Sequence, residues 1–190
     1  MIRIGILGDI GSGKTYVAKS FGYPVFNADY EVGRLYKKDK ATYKRLKKNL
    51  PKYFSSFPIN KNEVLRAILD KKVNLKKIVK IVHAKIREKL NYFLIKNKKK
   101  RIVILDIPLF LENKLNKKKD ILVFVQSKRS NIIKKLKKRK NYNKEIIYEF
   151  KKIQLPLSYK KKKARFIIKN DFKRKSVKNG VKRILKEILL

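Results

Sequence analysis

The segment Gly8–Thr15 reads G-D-I-G-S-G-K-T, and no other stretch of the chain restricts its fold so strongly. It matches G-x-x-x-x-G-K-[ST] at every fixed position. Ile2–Leu7 before it is a short apolar run that reads as a strand. Thr15–Phe21 after it reads as the first turns of a helix. Gly8, Gly11 and Gly13 allow the backbone angles a tight wrap needs. The loop built from them and from Asp9, Ile10 and Ser12 can aim successive N–H groups at a phosphate. The helix adds its unpaired N–H groups and the positive end of its dipole. In this context Lys14 reaches the β- and γ-phosphates, and Thr15 places its hydroxyl on Mg²⁺. The motif predicts a nucleoside triphosphate and phosphoryl chemistry, and leaves the acceptor open.

The rest of the chain predicts a sheet to carry that loop. Val25 and Phe26 form a short second strand, followed by Asn27-Ala28-Asp29 and a helical pattern from Tyr30. Helices are expected over 41–50, 61–69 and 75–95. In the last of these Ile78, Val79, Val82, Ile86, Leu90 and Phe93 recur at helical spacing. Strands are expected at Arg101–Asp106, Asp120–Val125 and Ala164–Ile168. Basic helical segments are expected over Ser127–Lys140 and Asn143–Gln154, and a closing helix over Ser176–Leu190. Lys160–Lys163 reads as a solvated turn or helix face. Alternating strands and helices imply a parallel sheet covered on both faces. Ligands in such sheets sit at the carboxyl ends of strands. That rule brings together the Gly8–Thr15 loop, the Asp29 turn and the segment from Asp106 to Asn113.

Composition narrows the class. The chain has 190 residues, 43% of them hydrophobic, enough for one domain with a core. Cysteine is absent and His83 is the one histidine, which excludes disulfides and thiolate or His-rich metal centres. Met1 is followed directly by the first strand, and no apolar run approaches a membrane span. These features predict a cytoplasmic protein without a membrane association. Lys and Arg number 55 against 14 acids, a net charge of +41. A nucleic-acid footprint is one reading of that charge. The basic residues are spread along the whole chain, however, and few aromatics lie between them as a stacking platform would require. A solvated, compositionally biased surface is the reading adopted, with no specific nucleic acid as partner.

Several segments in order resemble the dephospho-coenzyme A kinase family. G-D-I-G-S-G-K-T resembles its phosphate loop, and N-A-D at Asn27–Asp29 its D-A-D turn. V-H-A-K-I at Val82–Ile86 resembles its H-P-x-I segment. D-I-P-L-F-L-E at Asp106–Glu112 resembles its P-L-L-x-E signature. I-Q-L-P at Ile153–Pro156 and A-R-F-I-I-K-N at Ala164–Asn170 resemble its Q-M-P and A-D-x-V-I-D-N stretches. The chain departs from the pattern at Asn27, Ala84, Arg165 and Lys169. The resemblance implies an α/β P-loop kinase with a five-stranded parallel sheet flanked by helices, a helical substrate-binding insertion and a lid. The whole chain, 1–190, is then one domain. Its core covers about 1–28, 101–126 and 164–190; the coenzyme A-binding insertion about 29–100; the lid about 127–163. The implied reaction is phosphoryl transfer from ATP, with Mg²⁺, to the ribose 3′-hydroxyl of dephospho-coenzyme A by a monomer.

Each candidate residue has a functional and a plainer reading. Asp29 can orient the acceptor hydroxyl and accept its proton, or cap the helix that follows. Asp106, ending a strand, can hold Mg²⁺ through water, or bond a neighbouring backbone group. Glu112 can shape the acceptor pocket with Pro108, or cap a following helix. Arg139 falls where the family carries a lid arginine for ATP, in a helix where a solvated arginine would look the same. His83 can touch substrate or pack at the edge of a core. Lys61, near the family's usual arginine, and Arg66 are candidates for the substrate's phosphates. Two other functions remain as rivals: a P-loop kinase for a nucleoside monophosphate or similar small molecule, and a nucleic-acid-binding protein with a vestigial nucleotide site. D-I-P-L-F-L-E and the Asn27–Asp29 turn argue against the first.

Overall fold

The structure, a computed structural model, describes residues 1–139 and 142–190. Its sheet has five parallel strands: β1 (Ile2–Gly8), β2 (Val25–Asn27), β3 (Ile102–Asp106), β4 (Ile121–Gln126) and β5 (Phe166–Lys169). The order is β2-β3-β1-β4-β5. The predicted parallel sheet is therefore present, with each strand shifted by two residues or fewer at either end. Nine helices accompany it among the described residues: α1 (Lys14–Ser20), α2 (Ala28–Lys38), α3 (Lys40–Asn49), α4 (Lys61–Asp70), α5 (Val73–Lys96), α6 (Arg129–Lys137), α7 (Lys144–Lys152), α8 (Leu157–Lys163) and α9 (Arg174–Leu189). They fall into two compact units. The first is Met1–Asn27, Asn97–Tyr142 and Ile153–Leu190; the second is Ala28–Lys96 and Asn143–Lys152.

The first unit holds the whole sheet. β1, β3 and β4 are near-continuous apolar runs because helices cover both faces of a parallel sheet. Ile4, Ile6, Ile102, Ile104 and Val123 are fully buried, with Val17 and Ala18 of α1 and Val177, Val181 and Ile184 of α9 in the same core. Arg3 interrupts the apolar run of β1 and is still buried. Its guanidinium lies 3.0 Å from Asp120 and donates to the Leu115 carbonyl at 3.1 Å, so the charge is paired inside the fold.

Gly5 is small for a packing reason. A Cβ there would lie 2.4 Å from the Phe110 ring and 3.0 Å from Leu122. Phe110 is fully buried and seats the segment after β3 against β1. We expect Gly5→Ala to cost about 1–3 kcal/mol by overpacking. Denaturant unfolding measures it, and an unchanged midpoint would show that Phe110 can move aside.

The second unit is helical. α5 packs against α2, α3 and α4, and α4 against α7. Leu75, Ile78, Val82, Ile86 and Leu90 are the buried stripe of α5, while Val79 and Phe93, assigned to the same stripe by spacing, are half-buried. Asp39 caps α3 by accepting from Thr42 N–H at 3.0 Å. Asn60 and Glu63 form a reciprocal capping box at the start of α4. Tyr36 is buried in this unit, and burial pushes its phenol up to about 12.

Three expectations need correction. α2 starts at Ala28, not Tyr30, so Asp29 is the second helical residue rather than the cap before the helix. α6 ends at Lys137, so Arg139 lies in a turn beyond the helix, and Lys140, where the expected segment ended, is outside the described residues. Lys160–Lys163 belongs to α8, and Lys160 is 1% exposed rather than solvated.

Candidate active site

β1 ends at Gly8 and α1 begins at Lys14, so the glycine loop runs from a strand end to a helix start. Gly11 and Gly13 hold φ at 85° and 88°, the left-handed region where side chains are strained. Both also lack space. A Cβ on Gly11 would meet Leu136 of α6 at 2.8 Å, and one on Gly13 would meet Asn170 at 2.3 Å. The loop is tied from within by Ser12 N–H to the Asp9 carbonyl at 3.1 Å, and Asp9 Oδ1 accepts from Ile10 N–H at 2.7 Å. Lys14 Nζ donates to the carbonyls of Asp9 at 2.8 Å and Gly8 at 3.2 Å. Both of these carbonyl acceptors are neutral. Phosphate oxygens would replace them with stronger, charge-assisted bonds.

Asp106 is the second element of the site. It ends β3 beside β1, is 3% exposed, and accepts on Oδ2 from two donors at 2.6 Å each: Thr15 Oγ1 and Asn27 Nδ2. Asn27 is opposite Asp106 in the β2–β3 register. Sequence reasoning gave Asn27 no role. The structure makes it a donor that joins the ends of β2 and β3 to the start of α1. Thr15 and Asp106 form a pair of oxygen donors of the kind that suits a hard cation such as Mg²⁺. Among the described residues no group of three or more His, Cys, Asp or Glu side chains could hold a metal ion.

A cavity of about 510 Å³ opens beside the loop, lined by Asn131, Lys134, Lys135 and Lys138 around α6 and by Asp171 and Phe172 after β5. The Lys135 ammonium lies 5.5 Å from the Phe172 ring centroid. Leu136 of α6 approaches Gly11, and Phe172 approaches Gly13, so both walls reach the phosphate loop.

The other predicted residues are distributed between the units. In the first, Pro108 lies in the turn after β3, and Glu112 follows a few residues later. No helix begins after Glu112 before β4, so it caps nothing there. Its carboxylate instead lies 2.6 Å from the Lys160 ammonium and accepts from Leu155 N–H at 3.0 Å. Arg139 is exposed after α6, its N–H bonded to the Leu136 carbonyl. In the second unit Asp29 is exposed in the first turn of α2. Lys61 opens α4 and Arg66 follows on the same helix, both exposed; His83 is half-buried on α5. Burial alone would raise the Glu63 carboxyl. Bonds from the Ser55 side chain and backbone and from Asn60 N–H, with the charge of Arg66, hold it below its ordinary value.

The sequence reading missed three contacts: Lys160 pairs with Glu112, and Asn170 Nδ2 and Ser127 Oγ both donate to the Ser12 carbonyl of the loop. Asn170 had a signal, since it closes the A-R-F-I-I-K-N stretch. Lys160 had none, because it stands in a run of lysines whose other members are exposed.

Comparisons with known proteins agree with this geometry. The dephospho-CoA kinase family model matches residues 2–176. The dephospho-CoA kinase of Wolbachia sp. subsp. Brugia malayi (strain TRS) is 31% identical over 192 residues, covering 98% of each chain. The crystal structure of TT1252 from Thermus thermophilus is similar with a TM-score of 0.76 and 25% identity, over 99% of this chain and 96% of the other. Dephospho-CoA kinase from Campylobacter jejuni shares the fold, with a TM-score of 0.61 and 21% identity over 98% and 96%. The family match runs through the glycine loop, the Asp106 strand end and the Pro108–Glu112 turn, and this chain belongs to the dephospho-CoA kinase family.

Proposed function

We propose the following division of labour for the reaction of this kinase, the ATP-dependent phosphorylation of the ribose 3′-hydroxyl of dephospho-coenzyme A that completes coenzyme A synthesis. The ATP phosphates lie over Gly8–Thr15, and the nucleoside end occupies the cavity beside Phe172. The aromatic wall and the contact of both walls with the loop support that placement. Lys14 moves from the Gly8 and Asp9 carbonyls to the phosphate oxygens. Thr15 and Asp106 hold Mg²⁺, which would neutralise charge on the β- and γ-phosphates. Asp29 orients the ribose hydroxyl and accepts its proton as the new P–O bond forms. Arg139 grips phosphate oxygens in a bidentate fork from the lid. Pro108 and Glu112 shape the acceptor pocket, His83 touches the acceptor, and Lys61 and Arg66 meet its phosphates.

One observation carries the assignment: Thr15 from the loop and Asn27 from β2 both donate to a single carboxylate oxygen of Asp106 at the end of β3. Asp29 follows Asn27 by two residues in the chain. We further assign the reaction to the cytoplasm, where its ATP is available, and to the monomer, with no membrane or nucleic-acid partner. A coupled ADP-release assay over a panel of acceptors tests the reading. Turnover is expected with dephospho-coenzyme A and not with nucleoside monophosphates, and the reverse result overturns it. Lys14→Ala is expected to lower kcat by about a hundredfold, as loss of one transition-state contact does. Thermal unfolding is measured alongside, so that a loss of kcat is separated from a loss of fold. An unchanged kcat would remove Lys14 from the chemistry.

A further inference from the structure

The phosphate loop is anchored from behind by a residue that the reaction itself does not use. Asn170 follows β5, and its N–H extends the ladder by donating to the Gln126 carbonyl at 2.8 Å. Its side chain is 2% exposed. Nδ2 donates to the Ser12 carbonyl at 2.8 Å, and Oδ1 accepts from Phe172 N–H at 2.9 Å. These two partners fix which end of the amide is which, since a carbonyl needs a donor and an N–H needs an acceptor. The Ser12 carbonyl accepts a second bond, from Ser127 Oγ at 3.0 Å.

The Ser12 carbonyl and the Gly13 N–H belong to one planar trans peptide, so they point in opposite directions. Drawing the carbonyl back onto Asn170 and Ser127 turns the Gly13 N–H away from them. The close seat of Asn170 behind Gly13, which leaves no room for a Cβ, keeps that peptide from rotating. The other end of the same amide sets the bend at Phe172, whose φ is 66°. Phe172 is the aromatic wall of the cavity.

We propose that Asn170 is a positioning residue that couples the nucleoside cavity to the phosphate loop: one end aims the Gly13 N–H at the phosphates and the other holds Phe172 against the base. The proposal rests on the reading that the triphosphate lies in the loop and its base in the cavity.

Asn170→Asp is the informative variant. It keeps the size and the acceptor for Phe172 N–H, and it sets a carboxylate oxygen against the Ser12 carbonyl in place of a donor. Binding of ATP and of inorganic pyrophosphate is measured by calorimetry, with dephospho-coenzyme A kinetics alongside. Asn170→Asp is expected to weaken both phosphate ligands by about ten- to a hundredfold, the usual consequence of turning a buried bond into an unpaired acceptor. KM for ATP rises and KM for dephospho-coenzyme A does not. A residue that served only stability would lower the folded fraction, and with it the apparent kcat, and leave both KM values unchanged. Ser127→Ala removes the other donor alone, and it is expected to weaken pyrophosphate by about threefold to tenfold. It carries the test even if the Asn170 variant does not fold. Wild-type pyrophosphate affinity in either folded variant overturns the proposal. Failure of the parent protein to bind ATP or pyrophosphate at all would instead remove the reading on which it rests.

Discussion

Replacing Asp29 by Asn is expected to lower turnover of dephospho-coenzyme A by about a thousandfold, within the range that a positioned general base contributes. ATP affinity should change little, because every residue of the phosphate loop itself is retained. Asn keeps the shape and the hydrogen-bond reach of Asp but cannot take a proton. A ribose hydroxyl left without that acceptor must lose its proton to water or to the phosphoryl group itself. Asp29 also has a plain structural effect, since a carboxylate in the first turn of α2 favours the helix dipole. That effect is worth about 0.3–1 kcal/mol, so the unfolding temperature should fall by no more than a few degrees. The two roles therefore separate in one pair of measurements, kcat and thermal midpoint. A variant with near-parent kcat and a slightly lower midpoint would show that Asp29 serves the helix alone.

The sequence made some parts of this molecule plain and hid others, and the division follows the range of the interaction. The glycine loop, the apolar strands and the stripe of α5 are local patterns, carried by residue type and spacing over a few turns. All three were readable. The start of α2 was missed because Asn27-Ala28-Asp29 carries turn-forming and helix-forming residues together, and β2 pairing with β3 decides where the strand stops. The pairing of Arg3 with Asp120 is invisible in the chain because the two residues are far apart in sequence. Asn27 looked like a lost acid. In three dimensions it is a donor to Asp106 that an aspartate could not supply while ionised. Its neutral amide leaves a single formal charge where two adjacent carboxylates would repel each other. Glu112 was read as a pocket residue or a helix cap. Its partner Lys160 lies beyond α7, where no local pattern could reveal it.

That pair supports the largest stability effect expected in the chain. The Lys160 ammonium is 2.6 Å from Glu112 Oε1, with the two side chains 1% and 10% exposed. Glu112 Oε1 also accepts from Leu155 N–H, and Lys160 reaches Gln154 Oε1 at 3.4 Å. Glu112 Oε2 is buried without a hydrogen-bond partner, so the ammonium is the main compensation for this carboxylate. Lys160→Met removes it and leaves the negative charge inside the fold. A buried pair broken from one side costs about 3–5 kcal/mol. For a chain of this length that is a fall of about 6–20 °C in the thermal midpoint. Neighbouring lysines supply the control. Lys161, Lys162 and Lys163 belong to the same helix and are exposed, so their Met variants should stay within about 0.5 kcal/mol of the parent. Equal midpoints for Lys160→Met and Lys161→Met would show that the buried ammonium contributes nothing. The double variant Lys160→Met/Glu112→Leu removes both charges, and apolar replacements of buried pairs are often neutral or stabilising. It should recover much of the lost stability. If its kcat is also that of the parent, the pair only neutralises itself. If it is stable but slow, the link from the turn after β3 to α8 sets the geometry of the Pro108–Glu112 segment, which apolar packing cannot reproduce.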